Sequence, residues 1–244
     1  LYNNLVVFDQ HVARNSLDIP RSFATASMRR LGAVVGTRGR LFPSTGVTTG
    51  MAQAGAMHGT GADCGAWLSG LGGVTEYLGD DTNASARAPM RGFIAGFDFG
   101  LGDAVTVGVS GGQAWPEVTL DGSPDRADST MNLLNVYGRY ARKRMRLDAL
   151  VGFNGLEQNV FRQITDGVTT LAASSHYHGS GAMFQAEYGY NLELGRGLNL
   201  EPTVGLQVGQ GRFDGFGEEN GDVLSLSVPG RTVQSGRTLL GATM

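Results

Sequence analysis

The sequence predicts an all-β fold: an antiparallel up-and-down transmembrane β-barrel preceded by a short helical segment. Three observations support this prediction. Apolar and polar residues alternate over long stretches, short and long connections take turns along the chain, and the apolar sides of the alternating stretches carry no charge. A soluble β-barrel or sandwich also alternates, so alternation alone does not decide which side meets water.

The composition excludes several kinds of protein before any motif is considered. The chain has 244 residues, a net charge of −3 and 39 glycines. Nucleic acid is not an expected partner, because nucleic-acid-binding surfaces are normally strongly basic. The single cysteine, Cys64, excludes an internal disulfide and a cysteine-based zinc cluster. No apolar run approaches the roughly 18 residues that a transmembrane helix needs.

The N-terminal quarter precedes the alternating stretches and divides into two parts. Residues 1–35 are predicted to be a helical segment, because Asp18 and Pro20 are typical of a helix start and apolar residues recur at helical spacing. Residues 36–63 are rich in Gly, Ala, Ser and Thr, which predicts a flexible linker. The opening LYNNLVVFDQH has no signal-peptide pattern, so we expect either a cytosolic protein or an internal piece of an exported precursor.

Period-two alternation predicts eight strands within residues 64–244. The longest pattern runs from Phe184 to Val208 and turns back at Gly-Arg-Gly. In chain order the predicted strands are CGAWLSGLGG, RGFIAGFDFGLG, VTVGVSGG, LLNVYGRY, RLDALVGFN, FQAEYGYNLEL, LNLEPTVGLQV and QSGRTLLGATM. Several approach the roughly 9–11 residues of a tilted membrane crossing, which is longer than the typical soluble strand of about 5–6.

The connections between these strands alternate in length. Three are short, near Leu101–Ala104, Arg142–Arg146 and Gly195–Gly197. Three are predicted to be long polar loops, namely EVTLDGSPDRADST, QNVFRQITDGVTTLAASSHYHGSG and GRFDGFGEENGDVLSLSVPGRTVQ. Outer-membrane barrels have this asymmetry, with tight periplasmic turns and longer extracellular loops.

The apolar sides of the predicted strands carry no charged residue, as contact with lipid hydrocarbon requires. An Arg or Lys at the middle of the bilayer would cost about 2–4 kcal/mol. Aromatic residues on these sides lie where a girdle at the membrane interface would place them, at Phe99, Tyr140, Phe153, Tyr188 and Tyr190. These features favour a membrane barrel, with a soluble barrel or sandwich as the alternative.

Five short motifs follow one another from the first predicted strand to the last. They are Gly65-Ala66-Trp67 with Gly70 and Gly72-Gly73; Gly92, Gly96 and Asp98; Val105 and Gly108; Leu200-Glu201-Pro202; and Gly236-Arg237 with Gly241. In this order they resemble the translocator (β-barrel) domain of monomeric autotransporters, the type V secretion proteins of Gram-negative bacteria. The resemblance covers residues 64–244, and the preceding helix matches more weakly.

The resemblance implies a non-enzymatic outer-membrane barrel that anchors and helps export an upstream passenger domain, with no cofactor and no metal. It also implies three partners: outer-membrane lipid, the barrel-assembly machinery and the chain's own passenger domain. Barrels of that family close with twelve strands and end in an aromatic residue. This sequence offers eight strands and stops at Met244, so we expect a piece that lacks about four strands.

Two other functions stay open at the level of sequence. An outer-membrane enzyme of protease or lipase type would need a converging set at the rim, such as Ser with His and Asn, and no convincing set is found. A soluble β-barrel or sandwich that binds a ligand would also show alternating strands. Extraction from membranes would separate this last class from the other two.

The candidate site is electrostatic. The side predicted to face the pore carries acids, with Arg139 as the exception; the acids are Asp98, Asp148, Glu187, Glu193 and Glu201. The preceding segment carries Arg21, Arg29 and Arg30, and the resemblance implies that this helix occupies the pore after secretion. We hypothesise that Arg29 and Arg30 pair with some of the acids and close the conduit. The alternative is that all of these charges are simply solvated.

Three further motifs carry weaker signals. His176 and His178, with Asp166 upstream, could bind a metal or act in acid–base chemistry, but two histidines without clear further ligands are usually ordinary loop residues. Asn3-Asn4 is similar to the pair at which some autotransporters cleave themselves, yet it lies about 60 residues before the first strand. The Gly-rich runs are not phosphate loops, because no strand–loop–helix unit follows them.

Overall fold

The computed structural model describes residues 19–21, 64–77, 84–165, 170–195, 198–221 and 225–243. Residues 19–21 form a helical turn. The rest of the predicted helical segment (1–35), including Arg29 and Arg30, and the predicted linker (36–63) lie outside the described residues, as do Asn3-Asn4 and Asp166. Within the described residues, no helix is long and apolar enough to span a bilayer.

Almost all of the described chain is antiparallel β-sheet. The strands are β1 (Cys64–Tyr77), β2 (Ala86–Leu101), β3 (Val105–Leu120), β4 (Arg126–Arg142), β5 (Met145–Thr165), β6 (Thr170–Tyr190), β7 (Leu192–Gly195), β8 (Leu198–Phe213), β9 (Phe216–Gly217), β10 (Ser227–Val228) and β11 (Arg231–Thr243). The main sheet has the order β1-β2-β3-β4-β5-β6-β8-β11, and β7 pairs with β8. This up-and-down order confirms the predicted architecture. Strands β1 and β11 are outermost, and no pairing joins them within the described residues.

All eight predicted strands are present as β1 to β6, β8 and β11, but most are longer than predicted. Strands β5 and β6 have 21 residues each and pair without interruption from Met145–Tyr190 to Thr165–Thr170. The predicted long loop between them is therefore wrong, because only residues 166–169 separate the two strands. Its polar composition does not prevent pairing, since backbone hydrogen bonds form the ladder and both sides can be polar outside a membrane.

The other two predicted long loops are also shorter than expected. Strands β3 and β4 leave only residues 121–125 between them, and β8 extends to Phe213. The connection from β8 to β11 contains the small β9–β10 hairpin. One predicted strand is divided instead, since Asn191 separates β6 from β7 and donates its backbone N–H to the carbonyl of Arg144 over 2.7 Å.

The apolar side of the sheet is the exposed side. Phe97 is 56% exposed, Val136 56% and Phe153 54%. The opposite side is buried although it carries many polar residues, including Asp98, Asn135, Arg139, Asp148, Gln185, Glu187 and Gln207. We call the buried side the inner face and the apolar exposed side the outer face. This inverted arrangement is the one expected of a barrel in lipid.

The inner face also holds a cluster of large apolar side chains. Leu150, an apolar residue on the same side of β5 as Arg146 and Asp148, is buried within this cluster. Ile19 is only 2% exposed and belongs to the same cluster. The helical turn before the barrel strands therefore lies against the inner face.

Two glycines on the inner face let aromatic rings lie flat on the neighbouring strand. Trp67 of β1 is opposite Gly96 of β2, and a Cβ atom at Gly96 would come within 2.7 Å of the indole. Tyr137 of β4 is opposite Gly108 of β3, where a Cβ would clash with the ring. Any larger residue at either glycine would displace the ring, so the close approach requires glycine.

Candidate functional site on the inner face

The inner face carries a network of two arginines and three carboxylates, and Arg146 lies at its centre. Arg146 donates to Glu187 through Nη2 over 2.6 Å and to Glu201 through Nε over 2.9 Å. Its Nη1 donates to Asp148. Three strands, β5, β6 and β8, therefore meet at one guanidinium group.

Arg139 makes the second strong contact of this network. Its Nε and Nη2 donate to the two carboxylate oxygens of Asp148 over 2.6 and 2.9 Å. The side chains are only 4% and 3% exposed. The two side chains meet because Arg139 of β4 is directly opposite Asp148 of β5 in the strand pairing. A buried, two-pronged arginine–carboxylate pair fixes both side chains and holds the two strands in register.

These five side chains form what we call the wall network: Arg139, Arg146, Asp148, Glu187 and Glu201. It lies near the short turns of the sheet, because β5 begins at Met145 and β4 ends at Arg142. Two positive and three negative groups leave a formal charge of −1. The acids of this wall are thus mostly compensated by its own arginines.

A second polar group joins the first four strands. Trp67 donates from its indole nitrogen to the hydroxyl of Tyr137 over 2.9 Å, and that hydroxyl donates to Asp98. All three side chains are buried. The polar atoms of the two aromatic residues are thereby satisfied inside the sheet, as buried polar groups require.

A third group lies near the edge strand β11 and includes the helical turn. Arg237 donates to Gln207 over 2.6 Å, and Gln207 donates to Gln185 over 2.8 Å. Arg21 of the turn donates from Nη2 to the hydroxyl of Ser235 on β11. Pro20 and Arg21 share a small cavity with Met183 and Gln207. The turn is thus tied to the inner face by apolar contacts and by the hydrogen bond from Arg21 to Ser235.

The structure brings together most of the acids predicted to face the pore. Asp148, Glu187 and Glu201 meet at Arg146, while Asp98 lies apart from them under Tyr137. Glu193 also lies apart from them, although it is directly opposite Asn199 and so on the same side of the sheet as Glu201. It lies in the exposed strand β7, with its carboxylate 3.4 Å from Arg144.

Arg146 is the functional residue that the sequence interpretation missed. It stands at the boundary between a predicted short turn and the predicted strand RLDALVGFN and is absent from the charges predicted to face the pore, whereas the structure places it in β5 on the inner face. Its position contains the signal that identifies it, because residues 146 and 148 are two apart in a strand and must point to the same side. Because Asp148 points to the inner face, Arg146 must point there as well.

At the end of the sheet away from the short turns, specific contacts hold the β9–β10 connection in place. Arg162 donates to both carboxylate oxygens of Glu218, over 2.8 and 2.5 Å. Tyr177 stacks on Phe216 with ring centroids 4.6 Å apart. These contacts attach the β9–β10 connection to β5 and β6.

His176 and His178 are part of β6, and the prediction that they lie in a loop is wrong.

Comparison with known proteins identifies the architecture. A family model described as Autotransporter beta-domain matches residues 66–244. Among solved structures, the chain is similar to the translocator domain of the autotransporter NalP from Neisseria meningitidis, with a TM-score of 0.62 and 18% sequence identity. The match covers 75% of this chain and 62% of the NalP chain. Comparison with curated protein sequences gave no match.

Proposed function

The chain belongs to the autotransporter β-domain family, and from this membership we propose that it anchors and helps export an upstream passenger domain. The site of export is the outer membrane of a Gram-negative bacterium. The proposed partners are outer-membrane lipid, the barrel-assembly machinery and the chain's own passenger domain. The proposed role is transport without catalysis, and it requires no cofactor.

The inverted exposure of the sheet is the observation that carries this proposal. Large apolar side chains are exposed on the outer face, while buried ion pairs such as Arg139–Asp148 lie on the inner face. A soluble sheet would bury the apolar side, because burial of apolar surface drives its folding. The observed arrangement instead suits a lipid exterior and a polar interior.

We further propose three functional regions: a pore segment in residues 1–35, a linker in 36–63 and the barrel in 64–244. Ile19 and Arg21 support the first of these, since both contact the inner face. The pairing of Arg29 and Arg30 with acids of the pore stays a prediction. The arginines of the wall network already compensate most of its acids, which leaves little negative charge for Arg29 and Arg30 to pair with. We therefore expect the apolar contacts of Ile19 to hold the plug as well.

The topology can be tested by cysteine labelling on intact cells. In the full-length protein with Cys64→Ser, Gln163→Cys near the outer end of β5 should react with a membrane-impermeant maleimide. Asp103→Cys, in the short turn after β2, should react only after the outer membrane is permeabilised. We propose that the short turns are periplasmic and the opposite end of the sheet is extracellular, and the reverse pattern would contradict this orientation. Equal labelling of both sites on intact cells would contradict a membrane barrel.

The plug can be tested by conductance of the full-length protein in planar lipid bilayers. Ile19→Glu with Arg21→Glu should open the channel more often, because the change removes the apolar contacts of Ile19 and the hydrogen bond from Arg21 to Ser235. Arg29→Glu with Arg30→Glu should do the same if these residues pair with the acids. Arg144→Glu, a charge reversal on an exposed turn, serves as the control. A conductance that both double variants leave unchanged would refute the plug.

A further inference from the structure

Large exposed apolar side chains such as Phe97, Val136 and Phe153 form what we call the apolar band of the outer face. Two imidazoles and one carboxylate converge on the outer face, beyond this band. They belong to Glu157 of β5 and to His176 and His178 of β6. One potential ligand atom from each residue lies within 4.8 Å of the others. All three side chains are exposed, so they can rotate and are reached directly from water.

Strand register brings these residues together. His176 and His178 are two apart in β6 and therefore point to the same side of the sheet. Glu157 is directly opposite His178, and Asn159 is directly opposite His176. The two imidazole rings meet edge to face, with centroids 4.8 Å apart. The paired backbone thus holds the side chains close together.

Asn159 orients one of the rings. The Nδ1 atom of His176 lies 2.8 Å from the side-chain oxygen of Asn159. Since an amide oxygen only accepts, Nδ1 is the donor of this contact, and in the neutral imidazole Nε2 then keeps its lone pair free. That Nε2 atom lies 3.8 Å from the carboxylate of Glu157. Metal-bound histidines are commonly held in this way, with the second ring nitrogen donating to a fixed acceptor.

We propose that Glu157, His176 and His178 bind a divalent transition-metal ion of the zinc, nickel or copper group. Imidazole nitrogen and carboxylate oxygen bind such ions at about 2.0–2.2 Å, and imidazole favours them over calcium and magnesium. Ligand atoms already within 4.8 Å need only small side-chain rotations to reach a common ion. Three protein ligands leave at least one coordination position for water.

The location suits capture of an ion from the aqueous side. On the outer face of β5, Phe153 is the last large apolar residue before the site, and Glu157 lies four positions beyond it. Asp128 of β4 is opposite Asn159 and adds a further carboxylate nearby. Asp128 is not counted as a ligand, because the group of ligand atoms within 4.8 Å of one another consists of Glu157, His176 and His178. The site therefore lies on the polar extension of the β5–β6 hairpin.

Titration calorimetry with Zn²⁺ tests the proposal on the full-length protein, purified in detergent without a histidine tag. We expect one ion per chain, and affinity at least about tenfold lower in His176→Ala, His178→Ala and Glu157→Gln. The matched control replaces the other two histidines, His11 and His58, and should bind as the wild type does. Equal binding by all variants, or loss of binding in the control, would overturn the proposal.

Copper spectroscopy provides a second readout that does not depend on affinity. Electron paramagnetic resonance of the Cu²⁺-loaded protein should show coupling to two imidazole nitrogens, and to one in each single histidine variant. Asn159→Ala should keep both nitrogens but weaken Zn²⁺ binding about 10- to 100-fold, the usual effect of losing an orienting partner. A wild-type spectrum without coupled imidazole nitrogens would overturn the assignment. Heat-modifiable mobility on gels verifies that every variant is folded.

Discussion

The indole nitrogen of Trp67 donates a hydrogen bond to the hydroxyl of Tyr137, 2.9 Å away, although two strands separate these residues in the sheet. Each ring spans its neighbouring strand by lying over a glycine, Gly96 for Trp67 and Gly108 for Tyr137. The contact thus links β1 to β4 across the inner face. Stability of the first four strands should depend on it.

Removal of the Tyr137 hydroxyl should destabilise the barrel. Tyr137→Phe leaves the Trp67 N–H and the Asp98 carboxylate without this partner in a buried setting. A buried polar group that loses its partner costs about 1–3 kcal/mol. Denaturant titration of protein refolded in lipid vesicles measures the free energy of unfolding. A change below about 0.5 kcal/mol would show that the hydroxyl is not needed.

Addition of a methyl group at Gly96 should also destabilise the barrel. The new Cβ in Gly96→Ala would lie 2.7 Å from the Trp67 ring, which must then move. Overpacking of this kind typically costs about 1–3 kcal/mol. Gly155→Ala is the matched control, because a Cβ there meets no atom within 4 Å. Similar losses in both variants would mean that strand glycines matter for another reason than the ring contact.

Arg146 should contribute more to stability than any exposed arginine near the same turn. Arg146→Met leaves Asp148, Glu187 and Glu201 facing one another with only Arg139 to compensate them. Removal of one partner from a buried ion pair costs about 3–5 kcal/mol, and we expect about 3 because Arg146 is 15% exposed.

Arg144→Met is the control for that change. Its ion pair with Glu193 is more than half exposed on both sides, so the loss should not exceed about 1 kcal/mol. The same unfolding titration compares the two variants. If Arg146→Met were as stable as Arg144→Met, the wall network would not stabilise the sheet.

A charge on the outer face should be costly only within the apolar band. Val136 is 56% exposed and lies opposite Val151, in the middle of that band. Val136→Arg should therefore cost about 2–4 kcal/mol in lipid vesicles. Asn132→Arg, on the same strand and face but beyond the band, should cost less than about 1 kcal/mol. Equal effects at both positions would contradict the assignment of this face to lipid.

The strands and their lipid-facing sides can be predicted from the sequence because lipid imposes a strict pattern. Every second residue between Leu147 and Phe153 must be apolar or small, and the alternation is therefore visible. Beyond the membrane this constraint ends. Both sides of β5 and β6 become polar there, and the paired region from Glu157 to Thr165 has the composition of a loop.

The sites are less predictable because they depend on which residues face each other across strands. His176 and His178 carry no third ligand nearby in sequence, and Glu157 becomes their neighbour only through the β5–β6 register. Glu193 is a second example. It continues the alternation of β6, but the break at Asn191 places it in the exposed strand β7.

The long pairing of β5 with β6 has a consequence for survival at the cell surface. Each strand has 21 residues, about twice the length of a membrane crossing, and the residues beyond the membrane remain paired with one another. Proteases cleave mainly at exposed, flexible loop tips. A backbone held in a ladder offers few such sites, so the hairpin should resist digestion on intact cells where a polar loop of the same composition would be cut.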